Sequence, residues 1–181
     1  GNLYIPVFSV ELNPLAHFKD RIRSVSRMLD ASSARGACCV VTQDTSALNL
    51  PDKSVDYVFV DPPFGSNLMY SELSFALENW LRVLTNTGPE AIVNDTQKKN
   101  EQMYTEMMYN CFSELERVLK PGRWITVEFH NSRNAIWTAI QEALTRAGFV
   151  VADVRVLSRN LASLNQITAA NAVKQDLIIS A

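Results

Sequence analysis

Val55-Asp56-Tyr57-Val58-Phe59-Val60-Asp61-Pro62-Pro63-Phe64-Gly65 is the stretch around which the rest of this chain is organised. Its short apolar run, bounded by turn-forming residues, predicts a buried strand over residues 55–60. The two prolines end that strand, because proline has no N–H group to donate and fixes its own φ. Asp61 and Phe64 should therefore project from the carboxyl end of a central strand, where open α/β sheets bind their ligands.

The flanking segments alternate between strand and helix patterns. Apolar runs predict further strands over residues 3–10, 37–41, 124–129, 149–157 and 177–181. Apolar residues at helical spacing predict helices after a cap at Asn13, after Gly65, and over residues 104–119 and 136–144. This alternation predicts an α/β fold, a Rossmann-like, doubly wound and mostly parallel sheet with helices on both faces. A loop without a helix joins the last two strands, so the last strand should be antiparallel.

The bulk composition indicates one ordinary globular domain. The 181 residues are 47% hydrophobic and 20% charged, which suffices for a sizeable core and is not typical of disorder. No apolar stretch approaches the roughly 20 residues of a membrane span, and no signal segment is recognisable at the start. Cys38, Cys39 and Cys111 lack disulfide or metal spacing. We interpret them as buried thiols of a cytoplasmic protein.

The charge pattern does not by itself indicate a nucleic-acid partner. The net charge is -2, whereas a free-standing nucleic-acid binder is more often basic. The basic residues between 19 and 27 and the pair Lys98-Lys99 are candidates for phosphate contacts. A solvated helix face and an exposed loop over residues 85–99 are the default explanation for them. His130 has no cluster of ligands around it, so no metal site is predicted.

Asp61-Pro62-Pro63-Phe64 resembles the Asp/Asn-Pro-Pro-aromatic motif of amino-group DNA methyltransferases, which methylate N6 of adenine or N4 of cytosine. The similarity runs from about residue 40 to the end of the chain and is closest to large bacterial adenine-specific DNA methylases. It includes Ser54–Tyr57, Asn67–Leu73 with Trp80-Leu81, Arg117–Gly122 and Val127–Ser132. The resemblance implies a class I methyltransferase fold, S-adenosyl-L-methionine as cofactor and DNA with a flipped-out target base as partner.

The chemistry of such a reaction explains the residue types of the motif. An exocyclic amine is a poor nucleophile, because its lone pair is delocalised into the ring. By resemblance, the Asp61 carboxylate and the Pro62 carbonyl accept the amine protons and favour a localised lone pair. Phe64 would stack on the target base, and Pro62 and Pro63 would lock the loop. A Pro-rich turn after a strand is the structural alternative.

Further candidates surround this loop, each with a structural alternative. Asp44 is expected to bind the adenine amine of the cofactor, or else to form an Asx turn. Glu11 is a candidate for the cofactor ribose, or else a helix-capping acid. Gly65, Asn67 and Tyr70 are candidates for the substrate pocket. A helix cap and a packing tyrosine are the alternatives for Asn67 and Tyr70.

One expected feature is missing from the sequence. Methyltransferases of this kind carry a glycine-rich cofactor loop after their first strand, but the glycines here stand at positions 1, 36, 65, 88, 122 and 148. The resemblance therefore implies a fragment of a larger protein whose upstream region supplies the glycine-rich first βα unit. Residues 1–181 alone would then be inactive.

Two other functions stay open at this level. RNA methyltransferases that modify guanine N2 also use an Asp-Pro-Pro-Phe/Tyr motif, although the flanking residues favour DNA. A methyltransferase fold that has lost catalysis and serves as an interaction module is the alternative from a different class.

Overall fold

A computed structural model describes residues 13–31, 36–66, 68–129, 134–158 and 175–181. The chain divides into two compact units, Gly1–Thr42 and Gln43–Ala181. No helix among the described residues is long and apolar enough to cross a membrane.

The described part of the first unit is one helix and an extended segment. Helix α1 spans Pro14–Ala31 and begins as predicted, since Asn13 Oδ1 accepts from the N–H of Leu15 at 3.0 Å and of Ala16 at 3.3 Å. Its apolar side chains are all exposed; they are Leu15, Phe18, Ile22, Val25, Met28 and Leu29.

The predicted buried strand over residues 37–41 is wrong. The segment forms no strand, Val40 is 91% exposed, and Cys38 and Cys39 are exposed rather than buried. A β-prone run becomes a strand only when a neighbour completes its ladder, and it has no such neighbour among the described residues. The predicted strand over residues 3–10 lies outside the described part of the chain.

The second unit is built on a four-stranded sheet in the order β1-β2-β4-β3. The strands are β1 Val55–Val60, β2 Leu119–Phe129, β3 Asp153–Ser158 and β4 Gln175–Ser180. Strand β1 pairs parallel with β2, whereas β4 pairs antiparallel with both β2 and β3. Three strands thus share one direction and the last runs against them, which confirms the predicted α/β fold with its antiparallel last strand.

Strand β2 begins earlier than predicted. Leu119 already pairs with Val55, and the next pair is Trp124 with Tyr57. The register therefore shifts between these two pairs, over residues that include Pro121 and Gly122. The proline and glycine therefore lie in a bulge inside the strand.

Three helices complete this unit: α2 Tyr70–Leu81, α3 Glu101–Val118 and α4 Asn134–Arg146. Helices α3 and α4 pack together and supply much of the core, which includes Tyr104, Met108, Phe112, Ile136, Ile140 and Leu144. The alternating residues Val58, Ile125, Val127 and Ile179 of the sheet complete the core.

The opposite sheet face carries Tyr57, Phe59 and Trp124, all of which are more than half exposed. Within the described part of Gln43–Ala181, the core helices thus cover one face of the sheet. Helix α2 has no buried residue.

The segment between α2 and α3 is not the fully exposed loop that its polarity predicts. Ile92 and Lys99 are buried, and a single antiparallel bridge joins Asn94 to Lys99. The ammonium group of Lys99 donates to the carbonyls of Thr87 at 2.5 Å and Glu90 at 2.6 Å. Lys99 therefore bonds to the backbone of its own loop and does not point into solvent.

Candidate functional site

The Asp61–Gly65 loop leaves the carboxyl end of β1, as predicted. Asp61 is exposed, Pro62 is buried, and Pro63 and Phe64 are half-buried. The loop therefore presents its carboxylate to solvent while its prolines pack inward, an arrangement suited to binding a ligand above the sheet.

Two tyrosines hold the backbone of this loop. The hydroxyl of Tyr104, on α3, donates to the Pro63 carbonyl at 2.6 Å. The Phe64 N–H donates to the hydroxyl oxygen of Tyr70, at the start of α2, over 3.4 Å. Partial burial raises the pKa of Tyr70, and the nearby charge of Asp61 raises it further. Tyr70 thus lies within electrostatic reach of the candidate catalytic carboxylate.

Phe64 and Gly65 pack the end of the loop against the core. The Phe64 ring meets Phe129 edge-to-face, with centroids 6.0 Å apart and an interplanar angle of 76°. Gly65 has a φ of +66°, and a Cβ there would lie 3.0 Å from the Ile136 side chain. The turn therefore requires glycine for its backbone conformation and for the close approach of α4.

A cavity of about 320 Å³ opens beside the loop. Its walls come from the end of β1 with the loop, from the turn at Asp44, from the segment near Pro89 and from α3. The lining residues are Asp44, Thr45, Val60, Asp61, Pro62, Pro63, Pro89, Ala91, Met108, Cys111, Phe112 and Leu115. An apolar cleft of this size with two carboxylates at its rim suits a small molecule.

The other cavities are farther from this chemistry. One of about 410 Å³ lies at the amino ends of the strands, around Leu119–Trp124. Another of about 660 Å³ lies at the start of α3, between Ser66 and Gln102. We assign the candidate site to the smaller cavity, because it alone of the three contains residues from both Asp44 and the Asp61 loop.

Asp44 forms the Asx turn that was one of its two predicted roles. Its Oδ1 accepts from the N–H and the hydroxyl of Ser46, each at 2.8 Å. Both bonds use one oxygen, and Oδ2 has no hydrogen-bond partner among the described residues. The turn therefore leaves an acceptor at the cavity rim. Burial raises the pKa of the Cys111 thiol in the cavity wall to about 11, and the charge of Asp44 contributes.

An ion pair on α3 supports the segment that follows Asp44. Arg117 bonds Glu114 and donates to the carbonyls of Leu48 and Leu50, each at 3.1 Å. It also bonds the Asp52 carboxylate. Glu114 accepts from the Leu48 N–H at 2.8 Å. The pair thus ties residues 48–52 to α3, next to the cavity.

The structure does not describe every residue that was predicted for the site. Glu11, Asn67 and His130 lie outside the described residues, so their predicted roles stay predictions. Lys99 is buried against carbonyls and is not available to a phosphate. Among the described residues no group of three metal-ligating side chains is found.

Sequence reasoning missed Tyr104, Glu114 and Arg117. Tyr104 was predicted only as part of the buried face of its helix, yet a fully buried tyrosine needs a partner for its hydroxyl. Glu114 and Arg117 stand at i and i+3 on a helix, a spacing that predicts an ion pair. Neither pattern predicts which backbone groups these side chains bond, because those groups are far away in sequence and only the fold brings them close.

The strand order and the antiparallel last strand define the class of fold: it is an α/β fold with a mixed four-stranded sheet. The candidate site lies at the carboxyl end of its first described strand. A fold of this class does not by itself define an activity.

Three crystal structures of one protein from Thermus thermophilus, named a "Putative DNA Modification Methylase", are similar to this chain. One has a TM-score of 0.46 at 14% identity, over 76% of this chain and 50% of that one. The complex with S-adenosyl-L-methionine has a TM-score of 0.45 at 15% identity, over 76% and 52%. The selenomethionine derivative has a TM-score of 0.41 at 13% identity, over 73% and 46%.

This chain spans about half the length of the structures that it matches. Similarity at this level carries no argument about activity. No protein-family model matches the chain, and no curated protein is similar to it in sequence.

Proposed function

We propose that this chain is the catalytic part of an S-adenosyl-L-methionine-dependent DNA methyltransferase that modifies the exocyclic amine of adenine, or less favourably of cytosine. One observation carries the proposal: Asp61, Pro62 and Asp44 line a single cavity at the carboxyl end of β1. The acceptors expected for the target amine and for the cofactor thus meet at one place. We also propose a cytoplasmic location for this protein.

The loop residues would activate the amine by accepting its protons. The Asp61 carboxylate and the Pro62 carbonyl are the acceptors, and their pull on the N–H groups concentrates electron density on the nitrogen. S-adenosyl-L-methionine would supply the methyl group: the amine nitrogen would bond to the methyl carbon as the methyl–sulfur bond breaks. S-adenosylhomocysteine would leave, and one amine proton would pass to solvent. A positioned acceptor of this kind contributes on the order of 100-fold in rate.

The cavity residues fit the adenosine part of that cofactor. Met108, Phe112 and Leu115 offer apolar walls for a ring, and the Oδ2 atom of Asp44 offers an acceptor for its amine. An acceptor that carries a full charge forms a stronger hydrogen bond than a neutral one. We propose Asp44 as the residue that recognises the cofactor adenine. Phe64 and Tyr70, both half-buried, are proposed to contact the flipped target base.

Substitution of Asp44 tests its cofactor role. Asp44→Asn keeps an oxygen for the Ser46 turn but removes the charge, so the affinity for S-adenosyl-L-methionine should fall about tenfold. Isothermal titration calorimetry on the full-length protein measures it. Asp56→Asn, at the opposite end of β1, is the control and should leave the affinity unchanged. Equal affinities for wild type and Asp44→Asn would remove Asp44 from the site.

A methyl-transfer assay tests which class of nucleic acid receives the methyl group. The full-length protein is incubated with tritiated S-adenosyl-L-methionine and, separately, duplex DNA, tRNA and rRNA, and the labelled nucleosides are identified after digestion. The proposal predicts N6-methyladenine or N4-methylcytosine from DNA. Labelled N2-methylguanine from RNA alone would establish the rival RNA activity. Binding of cofactor without transfer to any acceptor would favour an interaction module.

A further inference from the structure

The Pro63–Phe64 peptide unit is held from both ends. Its carbonyl oxygen accepts from the Tyr104 hydroxyl at 2.6 Å, and its N–H donates to the Tyr70 hydroxyl oxygen at 3.4 Å. The first bond is short and comes from a completely buried side chain. The second hydrogen bond is long, and its acceptor, Tyr70, is only half-buried. Tyr104 is therefore the stronger of the two anchors.

A proline-rich loop needs an anchor of this kind. Pro62 and Pro63 have no N–H groups, so at these two residues the backbone can form hydrogen bonds only through its carbonyls. The ring of Pro63 fixes φ at that residue. With the Pro63–Phe64 peptide plane held, one torsion, ψ of Pro63, relates that plane to the Pro62 carbonyl.

We propose that Tyr104 is a positioning residue for methyl transfer, which orients the Pro62 carbonyl and the Asp61 carboxylate by fixing the Pro63–Phe64 peptide unit. The inference rests on the proposed function, because it concerns the same loop. Tyr104 lies in the core on α3, outside the Asp61–Phe64 motif.

The surroundings of Tyr104 suit this role. Burial raises its pKa, and the neighbouring Tyr70 and Cys111 raise it further, so the hydroxyl keeps its proton across the working pH range. Its helix is joined to the Asp44 side of the cavity through the Glu114–Arg117 pair. Hydrogen bonds to α3 thus hold both the loop and the segment that follows Asp44, the proposed cofactor acceptor.

The kinetic test compares two tyrosine-to-phenylalanine variants of α3 in the full-length protein. Tyr104→Phe removes only the hydroxyl, and we expect kcat to fall about tenfold, the effect of one lost hydrogen bond on a positioned acceptor. KM for S-adenosyl-L-methionine should stay within about twofold. Tyr109→Phe is the control, since Tyr109 contacts Arg146, 4.4 Å from its ring centroid, and not the loop. An unchanged kcat in Tyr104→Phe would overturn the proposal.

A second readout does not depend on activity. In protein labelled with carbonyl-¹³C proline, loss of the Tyr104 bond should move one carbonyl infrared band to higher frequency. The difference spectrum of Tyr109→Phe should show no such change. An unshifted band in Tyr104→Phe would overturn the anchor. If the wild type methylates no acceptor, the proposed function fails, and this band alone decides whether Tyr104 fixes the loop.

Discussion

Asp61, Pro62, Pro63 and Phe64 form a loop that exposes one carboxylate and whose backbone is hydrogen-bonded to Tyr70 and Tyr104. Their residue types directly after a predicted buried strand, together with the resemblance of the flanking residues, identified them as candidates. Their position at the carboxyl end of β1 is confirmed. Their chemical roles stay predictions. The hydroxyls that hold the loop were not predicted, because Tyr104 is 41 residues from Pro63 in the chain and no local spacing connects them.

Gly65 gives a prediction at the scale of one residue. Gly65→Ala forces a methyl group into a left-handed backbone conformation and to within 3.0 Å of Ile136. Gly122 has a similar φ of +72° with no atom within 4 Å of an added Cβ. We expect Gly122→Ala to cost about 1 kcal/mol and Gly65→Ala about 2 kcal/mol or more.

Urea unfolding of the two glycine variants measures these losses. The difference between them isolates the contact with α4, since the backbone conformation is common to both positions. Equal losses would show that the Gly65 turn does not depend on a close approach to Ile136.

At the scale of elements, the helices were predicted better than the strands they cover. Helices α3 and α4 appear where apolar spacing places them, because their buried faces are continuous over several turns. The strand predicted over residues 37–41 is absent, because β-propensity without a pairing partner does not decide the structure. The early start of β2 was missed, since Leu119 joins the sheet through a long-range pair with Val55.

The Glu114–Arg117 pair predicts a pH dependence at this scale. The hydrogen bond from Arg117 lowers the pKa of Glu114 to about 2 from an ordinary value of 4.5. Because the pKa is lower in the folded state, the stabilisation is fully present above the unfolded value and is lost as the pH falls towards 2. We expect Glu114→Gln to lower the melting temperature at neutral pH, and this difference from wild type to shrink below about pH 4.5.

Melting curves of wild type and variant between about pH 7 and pH 3 check this expectation. Glu116→Gln, on the exposed side of the same helix, is the control and should show no such convergence. A Glu114→Gln difference that stayed constant across the range would show that the carboxylate charge does not tie the Leu48–Asp52 segment to α3.

At the scale of the whole molecule, the class of fold could be predicted but the strand order could not. The alternation of strands and helices indicates an α/β sheet. That the last strand lies between β2 and β3, and so reverses the local order, follows from pairings between residues far apart in sequence. The same alternation led to the prediction of helices on both faces of the sheet, and the described core helices cover one face.

We propose that a strand end, two prolines and a buried tyrosine together present one carboxylate, that of Asp61, to an amine. Asp61→Ala in the full-length protein tests it most directly, measured as single-turnover methyl transfer to duplex DNA with Asp56→Ala as the control. We expect a rate lower by on the order of 100-fold, with the affinity for S-adenosyl-L-methionine within about twofold of wild type. Methyl transfer by Asp61→Ala at the wild-type rate would contradict it.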